Sequence, residues 1–304
     1  MIRLAHFSDI HLTTPHHDWQ AADWFSKRVT SWLNFRLLGR AARFAQADEV
    51  FACLLEELAR REVDHFVFSG DATALGFEAE IRHAAEPLAS VSIPGLAVPG
   101  NHDYCTPRAA ASGHFERYFA AWQQGRRIGG HPYPFAQPVG PIWLIGVNAA
   151  TGNVWPWDAG GAVDDDQLQR LKQLLGELEP GLRILVLHFP ICLASGAPER
   201  FYHSLRRLEP LLDVANAGGV NLWLHGHRHS PYHFKQAPGA RFPAICAGSA
   251  TQTGIWTYGE YTIADNVLTA VRRAFDPSVR GFVDAETFTL ALADSAARSR
   301  SASG

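Results

Sequence analysis

Seven residues of metal-ligand type occur along this sequence in a fixed order, and each follows a short apolar run. The seven are Asp9, His11, Asp71, Asn101, His188, His227 and His229. The apolar runs have the length and composition of buried strands and cover residues 2–7, 65–68, 96–98, 184–187 and 220–224. Loops that leave the carboxyl ends of strands in an open α/β sheet converge on one crevice. The sequence therefore predicts that these seven side chains meet at a single site.

These residue types suit a pair of divalent cations, which need a bridging carboxylate, neutral imidazoles and open positions for water and substrate. The residues divide into three for one cation, three for the other and one bridge: Asp9, His11 and His229; Asn101, His188 and His227; and Asp71. Mixed nitrogen and oxygen ligands favour Mn, Fe, Zn, Ni or Co over Ca or Mg. We therefore expect two divalent transition-metal ions as cofactors.

Phosphoryl transfer to water is the chemistry that such a cation pair supports. The cations lower the pKa of a bridging water, and the resulting hydroxide attacks phosphorus in line. His102 is the candidate acid that protonates the leaving oxygen, a step worth about 10²–10⁴-fold in rate; the alternative is that it orients the substrate. Asp103, the second catalytic candidate, is expected to orient His102 or to cap the following helix.

Strand-like runs alternate with helix-like stretches through most of the chain, which predicts a mainly parallel core sheet. The helix-like stretches are residues 48–61, 77–89, 107–124, 164–178 and 205–217. After about residue 240 the pattern changes to consecutive strands that form a second sheet or extend the first, at residues 242–247, 255–263, 267–274 and 282–291. We expect one domain over residues 1–292 and a disordered tail over residues 293–304.

An aromatic and basic insertion at about residues 13–47 interrupts this alternation. Residues 23–44 have the periodicity of one or two helices, with Phe25, Leu33 and Leu37 near one face. Three interpretations stay open for the insertion: a lid on the body, a dimer contact, or a lipid-facing element over residues 20–44. A basic amphipathic helix with Trp and Phe is typical of elements in peripheral contact with a membrane.

Five further residues are weaker candidates for contact with a substrate: Arg108, Trp155, Trp157, His203 and Arg206. The two Trp residues belong to one loop, which is either simply packed or a platform for a base or sugar. The two Arg residues and the His follow predicted metal ligands in the chain and are candidates for contact with a phosphate. Arg is ordinarily a surface residue, so these assignments depend on where the fold places each side chain.

The bulk composition restricts the partners. The chain has 304 residues, of which 47% are hydrophobic, and a formal net charge of −3, so nothing indicates the basic face that nucleic-acid binding requires. Its four cysteines show no C-x-x-C pairing, which favours a reducing compartment. No leader is recognisable, and no apolar run reaches the roughly 18–20 residues that span a bilayer. We expect a cytoplasmic protein, in peripheral contact with a membrane if the insertion faces lipid.

The order D-x-H, G-D, G-N-H-D, H, G-H-x-H closely resembles the calcineurin-like metallophosphoesterases over roughly residues 1–250. The resemblance implies a four-layer α/β/β/α sandwich, with two mixed β-sheets flanked by helices, and the ligand roles assigned above. The stretch after Asp71 lacks the V-D-R-G run of Ser/Thr protein phosphatases, and Asp103 stands where those carry Glu. These departures argue against a phosphoprotein phosphatase and favour the phosphodiesterase-like branch of the family.

The expected activity is hydrolysis of a phosphodiester or pyrophosphate bond in a phosphorylated small molecule or a lipid-linked substrate. Some relatives are UDP-2,3-diacylglucosamine hydrolases, and an apolar insertion beside the first metal motif is similar to what such an amphiphile requires. A cyclic nucleotide or another small soluble diester is the alternative. A non-catalytic scaffold of the same fold would be expected to have degraded ligand positions, and none is degraded here.

Overall fold

Two mixed β-sheets form the centre of the computed structural model, which describes residues 1–37 and 39–292. The tail predicted over residues 293–304 lies outside the described residues. The strands, in chain order, are β1 (Ile2–Phe7), β2 (His65–Phe68), β3 (Gly95–Ala97), β4 (Arg126–Arg127), β5 (Phe135–Val139), β6 (Ile142–Gly146), β7 (Gly161–Ala162), β8 (Leu182–Val186), β9 (Leu205–Arg206), β10 (Leu222–His225), β11 (Tyr232–Phe234), β12 (Ala244–Cys246), β13 (Thr257–Ala264), β14 (Val267–Asp276) and β15 (Gly281–Ala291).

The first sheet has the order β15-β14-β13-β1-β2-β3, and the second has the order β11-β12-β10-β8-β6-β5-β4. Strands β1, β2 and β3 are parallel, whereas β13, β14 and β15 are antiparallel to their neighbours. In the second sheet β6, β8, β10 and β12 are parallel, with antiparallel strands at both edges. Both sheets therefore direct the carboxyl ends of their central strands to one edge, where the predicted ligands follow.

The α-helices flank these sheets and are α1 (Lys27–Leu37), α2 (Arg40–Arg43), α3 (Ala47–Arg60), α4 (Glu78–Leu88), α5 (Pro107–Ala111), α6 (His114–Tyr118), α7 (Asp165–Glu177) and α8 (Leu208–Ala217). Short 3₁₀ helices lie at Ala21–Phe25, Ala120–Trp122 and Phe201–His203. Apolar residues of α3 and α4 pack on the first sheet, and those of α7 and α8 pack on the second.

Alternation along the strands produces the layers. In β1, Leu4 joins the core between the two sheets, whereas Ala5 and Phe7 join the core under α3 and α4. In β10, Leu224 faces the other sheet, and Trp223 faces the helices. Helix, sheet, sheet and helix are thus stacked in that order, which confirms the predicted four-layer α/β/β/α sandwich.

Two predicted helices have different bounds in the structure. The single helix predicted over residues 107–124 is wrong: Gly113, at a φ of 65°, separates α5 from α6, and a 3₁₀ turn follows. The helix predicted to begin at Leu205 begins at Leu208, because Leu205 and Arg206 pair with β7 as strand β9. Arg207, at a φ of 58°, makes the turn between them.

The strands after residue 240 are shared between the two sheets. Strand β12 belongs to the second sheet, whereas β13, β14 and β15 extend the first one beyond β1. Of the two arrangements that the sequence left open, extension of the first sheet is therefore the one that most of these strands adopt. The β5–β6 hairpin was not predicted from the sequence, and it is closed by Gly140 at a φ of 56°.

The insertion lies against the body through one buried cation and a small apolar cluster. Arg28 pairs with Asp23 at 2.7 Å and donates to the carbonyl oxygens of Leu75 and Gly76 at 3.2 and 2.6 Å. Its guanidinium also lies 4.1 Å from the ring centre of Phe77. Trp19, Trp32 and Phe35 pack around the same segment, at Ala74, Leu75 and Phe77.

Across residues 1–37 and 39–292, every helix falls short of the length and apolarity that crossing a bilayer requires.

Candidate metal centre

The structure brings the seven predicted ligands to the common edge of the two sheets. Asp9 and His11 follow β1, Asp71 follows β2, and Asn101 follows β3 in the first sheet; His188 follows β8, and His227 and His229 follow β10 in the second. The two halves meet directly, since the amide of His227 donates to Asp9 Oδ2 at 3.0 Å. The predicted convergence of strand exits on one crevice describes this edge well.

Five of the seven residues have left-handed backbone conformations. Their φ angles are 53° for Asp9, 43° for His11, 59° for Asp71, 69° for His227 and 54° for His229. A non-glycine residue in this region costs energy, and such residues cluster at functional sites where the surrounding structure holds them. The strain turns side chains into the crevice directly at the strand exits, where an ordinary loop would carry them past it.

Two glycines leave room for the carboxylates. A Cβ atom on Gly100 would collide with the carboxylate of Asp71, and one on Gly226 would collide with the carboxylate of Asp9 and the hydroxyl of Ser8. Glycine is therefore required in the G-N-H-D motif because its loop closely approaches the loop of Asp71. It is required in the G-H-x-H motif because that loop closely approaches the loop of Asp9.

Each carboxylate has one oxygen held by the backbone and one directed at imidazoles. Asp71 Oδ1 accepts the amide of His102 at 2.8 Å, which leaves Oδ2 at 3.3 Å from His188 Nε2 and 3.6 Å from His11 Nε2. Asp9 Oδ2 accepts the amide of His227, which leaves Oδ1 at 3.3 Å from His229 Nε2. Asp71 Oδ2 thus lies between imidazoles of both proposed cation positions, as a bridging ligand must.

The tautomers of the first pair of imidazoles follow from their partners. His11 Nδ1 donates to the carbonyl oxygen of Thr73 at 3.0 Å, and His229 Nδ1 donates to Gln252 Oε1 at 2.5 Å. Each Nε2 therefore carries a lone pair, and the two Nε2 atoms face each other at 3.1 Å. Ring nitrogens oriented in this way by an acceptor on the opposite side are typical of metal ligands.

The second position has the same construction. His188 Nδ1 donates to the carbonyl oxygen of Ser69 at 2.8 Å, and His227 Nε2 donates to that of His203 at 3.0 Å. In this tautomer His227 Nδ1 carries the lone pair, which faces Asn101 Oδ1 at 2.9 Å. Two acceptors at this distance repel each other unless a cation lies beside both of them.

The buried donor set fits two divalent cations. Asp9 Oδ1 and His188 Nε2 are buried atoms without a hydrogen-bond partner in the part of the chain that the structure describes. The residues form three groups, and within each group the ligating atoms lie within 4.8 Å of one another. The groups are Asp9, His11 and His229; Asp9, Asp71 and His188; and His11, Asp71 and His102. Buried, unpaired acceptors are costly without a counter-charge, and a cation supplies one.

The electrostatics favour the protonation states that metal ligands need. Burial works to raise the pKa of Asp9, but the neighbouring His229 and His11 bring it down to about 2. Burial lowers the pKa of His229 to about 4, and that of His227 lies well below its ordinary value for the same reason. Ionised carboxylates and neutral imidazoles are the forms that bind metals. His188 differs: burial lowers its pKa, yet the charge of Asp71 raises it to about 9, so a cation that binds Nε2 would displace a proton from this imidazole.

His102 is fixed in the crevice without being one of the seven predicted ligands. Its Nδ1 donates to the carbonyl oxygen of Ala74 at 2.7 Å, so that Nε2 points into the site. Arg40 Nη2 lies 3.2 Å from this Nε2. Burial and the charge of Arg40 hold the pKa of His102 well below its ordinary value. The ring is therefore oriented toward the position where a substrate would enter.

Asp103 does not have either of the two roles predicted for it. Its carboxylate accepts the amides of Asp71 at 2.9 Å, Gly100 at 2.8 Å and Thr73 at 3.0 Å. The carbonyl of Ala74 orients His102 instead, and the side chain of Thr106 caps α5. Burial and the charge of Asp71 raise the pKa of Asp103 to about 7. Asp103 thus ties together the two loops that carry Asp71 and Asn101.

The weaker substrate candidates separate into two groups. His203 and Trp157 line a cavity of about 400 Å³ that opens beside the ligands, and Trp155 stacks on Trp157 with ring centres 5.3 Å apart. Arg206 pairs with Asp158 at 2.7 Å and supports the tryptophan loop. Arg108 lies in a separate cleft, hydrogen-bonded to Gln20, so the structure does not bring it to the metal centre.

Lys27 and Arg40 of the insertion also line this cavity, and the sequence analysis did not assign them to the site. Both were visible only as basic residues in an amphipathic segment. The pattern contained a signal, since the basic residues of an amphipathic helix indicate a face that meets something polar. The neighbouring Thr30 donates to the carbonyl oxygen of Pro156 at 2.8 Å and joins the insertion to the tryptophan loop.

Comparisons with known proteins agree with this geometry. The family model of calcineurin-like phosphoesterases matches residues 2–231. A dimetal phosphatase from Danio rerio superposes with a TM-score of 0.63, at 14% identity, over 96% of this chain and 99% of its own. Purple acid phosphatase PPD1 from yellow lupin (Lupinus luteus) seeds superposes with a TM-score of 0.57, at 13% identity, over 95% of this chain and 53% of its own. These identities are low, so the two likenesses show the fold alone. Among curated proteins, sequence comparison found no match. The family match covers most of the chain, which therefore belongs to the calcineurin-like phosphoesterases and is a metal-dependent phosphoester hydrolase.

Proposed function

We propose that this enzyme hydrolyses a phosphodiester or pyrophosphate bond, with water as the nucleophile and two divalent transition-metal cations as cofactors. The observation that carries the proposal is the position of Asp71 Oδ2, between His188 Nε2 at 3.3 Å and His11 Nε2 at 3.6 Å. One carboxylate oxygen shared by two sets of imidazoles supports a two-cation centre. When bound, two such cations activate water and neutralise charge on the phosphoryl oxygens.

The residues of the chain have separate tasks in this proposal. The backbone amides of His102 and His227 hold Asp71 and Asp9 in place, so the ligands are oriented before any cation binds. His102, anchored at Nδ1, presents Nε2 to the leaving oxygen and donates a proton there when that nitrogen is protonated. Arg40 lies at this Nε2 in the structure, so an incoming leaving group would take the place of the guanidinium.

We further propose an amphiphilic substrate, such as the lipid-nucleotide UDP-2,3-diacylglucosamine. Exposed apolar side chains lie on or beside three of the segments that line the cavity. They flank Lys27 and Thr30, Pro156, and His203, and they are Phe25, Leu33, Leu37, Trp155, Trp157, Phe201 and Tyr202. Scattered exposed apolar residues are ordinary, but a rim of them around a polar site favours a partner with an apolar part. This rim supports acyl chains at the entrance and peripheral contact with a bilayer.

The structure changes how this substrate class is best tested. Deletion of residues 20–44 would remove the buried Arg28–Asp23 pair together with the exposed apolar residues, and so would confound loss of lipid contact with damage to the fold. Phe25→Ser and Leu37→Ser are sharper, because these side chains are 89% and 72% exposed. Val279→Ser is the matched control, since this valine is 63% exposed on the turn between β14 and β15.

The assay compares UDP-2,3-diacylglucosamine in mixed micelles with a soluble diester of p-nitrophenol, at saturating Mn²⁺. We expect the double variant Phe25→Ser/Leu37→Ser to lose turnover of the lipid-nucleotide and to stop co-sedimenting with vesicles. Its turnover of the soluble diester should be unaffected. If the double variant matches wild type on both substrates, or loses the same fraction of its activity on both, the amphiphile is refuted and a small soluble diester remains as the substrate. The cavity of about 400 Å³ is large enough for such a molecule.

A further inference from the structure

A buried lysine and a partly buried arginine of the insertion line the cavity without a carboxylate partner. Lys27 is 4% exposed, and its Nζ lies 3.4 Å from the carbonyl oxygen of Asn101. Arg40 Nη2 lies 3.2 Å from His102 Nε2 and 3.4 Å from His11 Nε2. In the described residues, neither cation forms an ion pair. Both positive charges therefore face the metal centre itself.

Arg28, the neighbour of Lys27 on α1, is an example of a cation with a purely structural task. It is buried as deeply as Lys27, but its guanidinium is paired with Asp23 and with the carbonyls of Leu75 and Gly76. Burying an unpaired charge is unfavourable unless a counter-charge arrives. Lys27 and Arg40 differ from Arg28, because in the described residues their polar contacts are a carbonyl oxygen and imidazole nitrogens, with no protein anion.

With two divalent cations bound, the cavity would carry an excess of positive charge. Asp9 and Asp71 balance only half of the charge that two divalent cations bring, and Lys27 and Arg40 add two further positive charges. The phosphoryl group of a simple diester carries a single negative charge. A substrate with a second negative charge would match this cavity better, because low-dielectric surroundings strengthen each ionic contact.

We infer that Lys27 and Arg40 bind a second negative charge, either on the phosphoryl group that reacts or on the phosphoryl group next to it, so that the insertion selects substrates with two negative charges. The substrate class is a pyrophosphate diester or a phosphomonoester, in preference to a monoanionic phosphodiester. This inference rests on the proposed hydrolytic function and narrows it. It also gives the insertion a chemical task beyond covering the site.

The first test compares two p-nitrophenyl esters that share a leaving group but differ in charge, together with a pyrophosphate diester that also carries two negative charges. Metal-loaded wild type, Lys27→Met and Arg40→Met are assayed on bis(p-nitrophenyl) phosphate, on p-nitrophenyl phosphate and on a UDP-sugar. We expect kcat/KM to fall about 10- to 100-fold on the two dianionic substrates, the loss typical of one hydrogen bond to a charged group. The monoanionic diester should change less than about threefold. Whichever dianionic substrate loses more identifies the source of the second charge.

Controls separate charge recognition from damage to the fold. Arg36→Gln changes an exposed cation on α1, the helix of Lys27, and should leave all three activities unchanged. Arg40→Lys keeps the charge and should recover part of the loss. Metal content and thermal denaturation of each variant show whether the centre and the fold are intact. Equal losses on all three substrates, or no loss on any, would overturn the inference.

A binding measurement keeps the inference separate from the proposed function. Calorimetric titration of the metal-loaded protein with α,β-methylene-ADP, which cannot be hydrolysed at that bridge, reports anion binding without turnover. We expect Kd to rise about 10- to 100-fold in Lys27→Met and Arg40→Met. Wild type that binds this anion tightly but hydrolyses nothing would refute the proposed function alone. Identical Kd values in wild type and both variants would refute the role of the two cations alone.

Discussion

The Nε2 atoms of His11 and His229 face each other at 3.1 Å, and the Nδ1 atom of each ring donates to an oxygen on its far side. Two imidazole lone pairs in this arrangement have no favourable contact with each other. A shared cation changes the repulsion into two coordinate bonds. The relationship between these two rings is therefore a direct structural indication that the centre is built around metal.

Metal removal should destabilise the protein. A cation that binds only the folded state adds about 2.7 kcal/mol when its free concentration is 100 times Kd. We expect thermal denaturation to move to higher temperature as Mn²⁺ is titrated into chelator-treated protein. The shift should be much smaller in His11→Ala, which loses one of the two facing rings. A midpoint that ignores both chelator and Mn²⁺ would contradict the metal centre.

Asn101→Ala should empty one cation position and spare the other. Asn101 Oδ1 faces His227 Nδ1 at 2.9 Å, whereas Asp9, His11 and His229 form the other group. Elemental analysis after dialysis should find close to two metals per chain in wild type and close to one in the variant. The counterpart His229→Ala should also retain one. Two firmly held metals in either variant would show that the ligands are divided differently.

His102→Ala should slow substrates with poor leaving groups far more than those with good ones. A general acid matters most when the departing oxygen is basic, and its loss costs about 10²–10⁴-fold. The measurement is kcat for a series of aryl and alkyl esters of one phosphate, plotted against the pKa of the leaving alcohol. We expect a steeper dependence in the variant. Parallel plots would instead support the alternative that His102 orients the substrate.

Arg28→Met should release the insertion from the body. Removing one partner of a buried ion pair costs about 3–5 kcal/mol, since the other charge stays buried and unpaired. Arg28 and Asp23 are such a pair, at 2.7 Å with both side chains buried. Hydrogen exchange should accelerate in α1 and its surroundings while the central strands stay protected. Arg36→Met, an exposed neighbour on α1, is the control and should exchange like wild type.

Glu260 should make a pH-dependent contribution to stability. Burial works to raise its pKa, but hydrogen bonds from Arg61 and Arg3 lower it below its ordinary value of 4.5. A group with a lowered pKa stabilises the fold above its unfolded pKa, and this contribution is lost as the pH falls through the folded pKa. We expect Glu260→Gln to cost about 1–2 kcal/mol at pH 7, with solvent screening of the partly exposed arginines taken into account.

Urea unfolding of wild type and Glu260→Gln at pH 7 and at pH 4 measures this effect. The difference in unfolding free energy between the two proteins should shrink at pH 4. At this pH the Glu260 carboxylate takes up a proton more readily in the unfolded chain than in the folded protein. A difference that stays constant over this range would mean that Glu260 acts through packing alone.

Much of the fold was predictable because its signals are local. Short apolar runs ending in Asp, His or Asn predicted the central parallel strands, and helical periodicity predicted α3, α4 and α7. The helix predicted over residues 107–124 was wrong because Gly113 adopts a left-handed conformation that composition alone does not reveal. Leu205 was wrongly predicted to be helical. It belongs to a strand because it pairs with Gly161, and a local pattern does not show a pairing between segments so far apart in the chain.

The sequence by itself determined the order and chemical type of the candidate ligands, and the strand exits from which they must emerge, because both are properties of short contiguous segments. Only the tertiary structure decided that Asp103 ties two loops together, that Arg108 lies in another cleft, and that Lys27 and Arg40 reach the metal centre. These outcomes depend on contacts between residues far apart in the chain, such as Lys27 and Asn101, and local patterns carry no record of such distances. The physical reason is that a side chain's task is set by the partners around it, and folding alone assembles those partners.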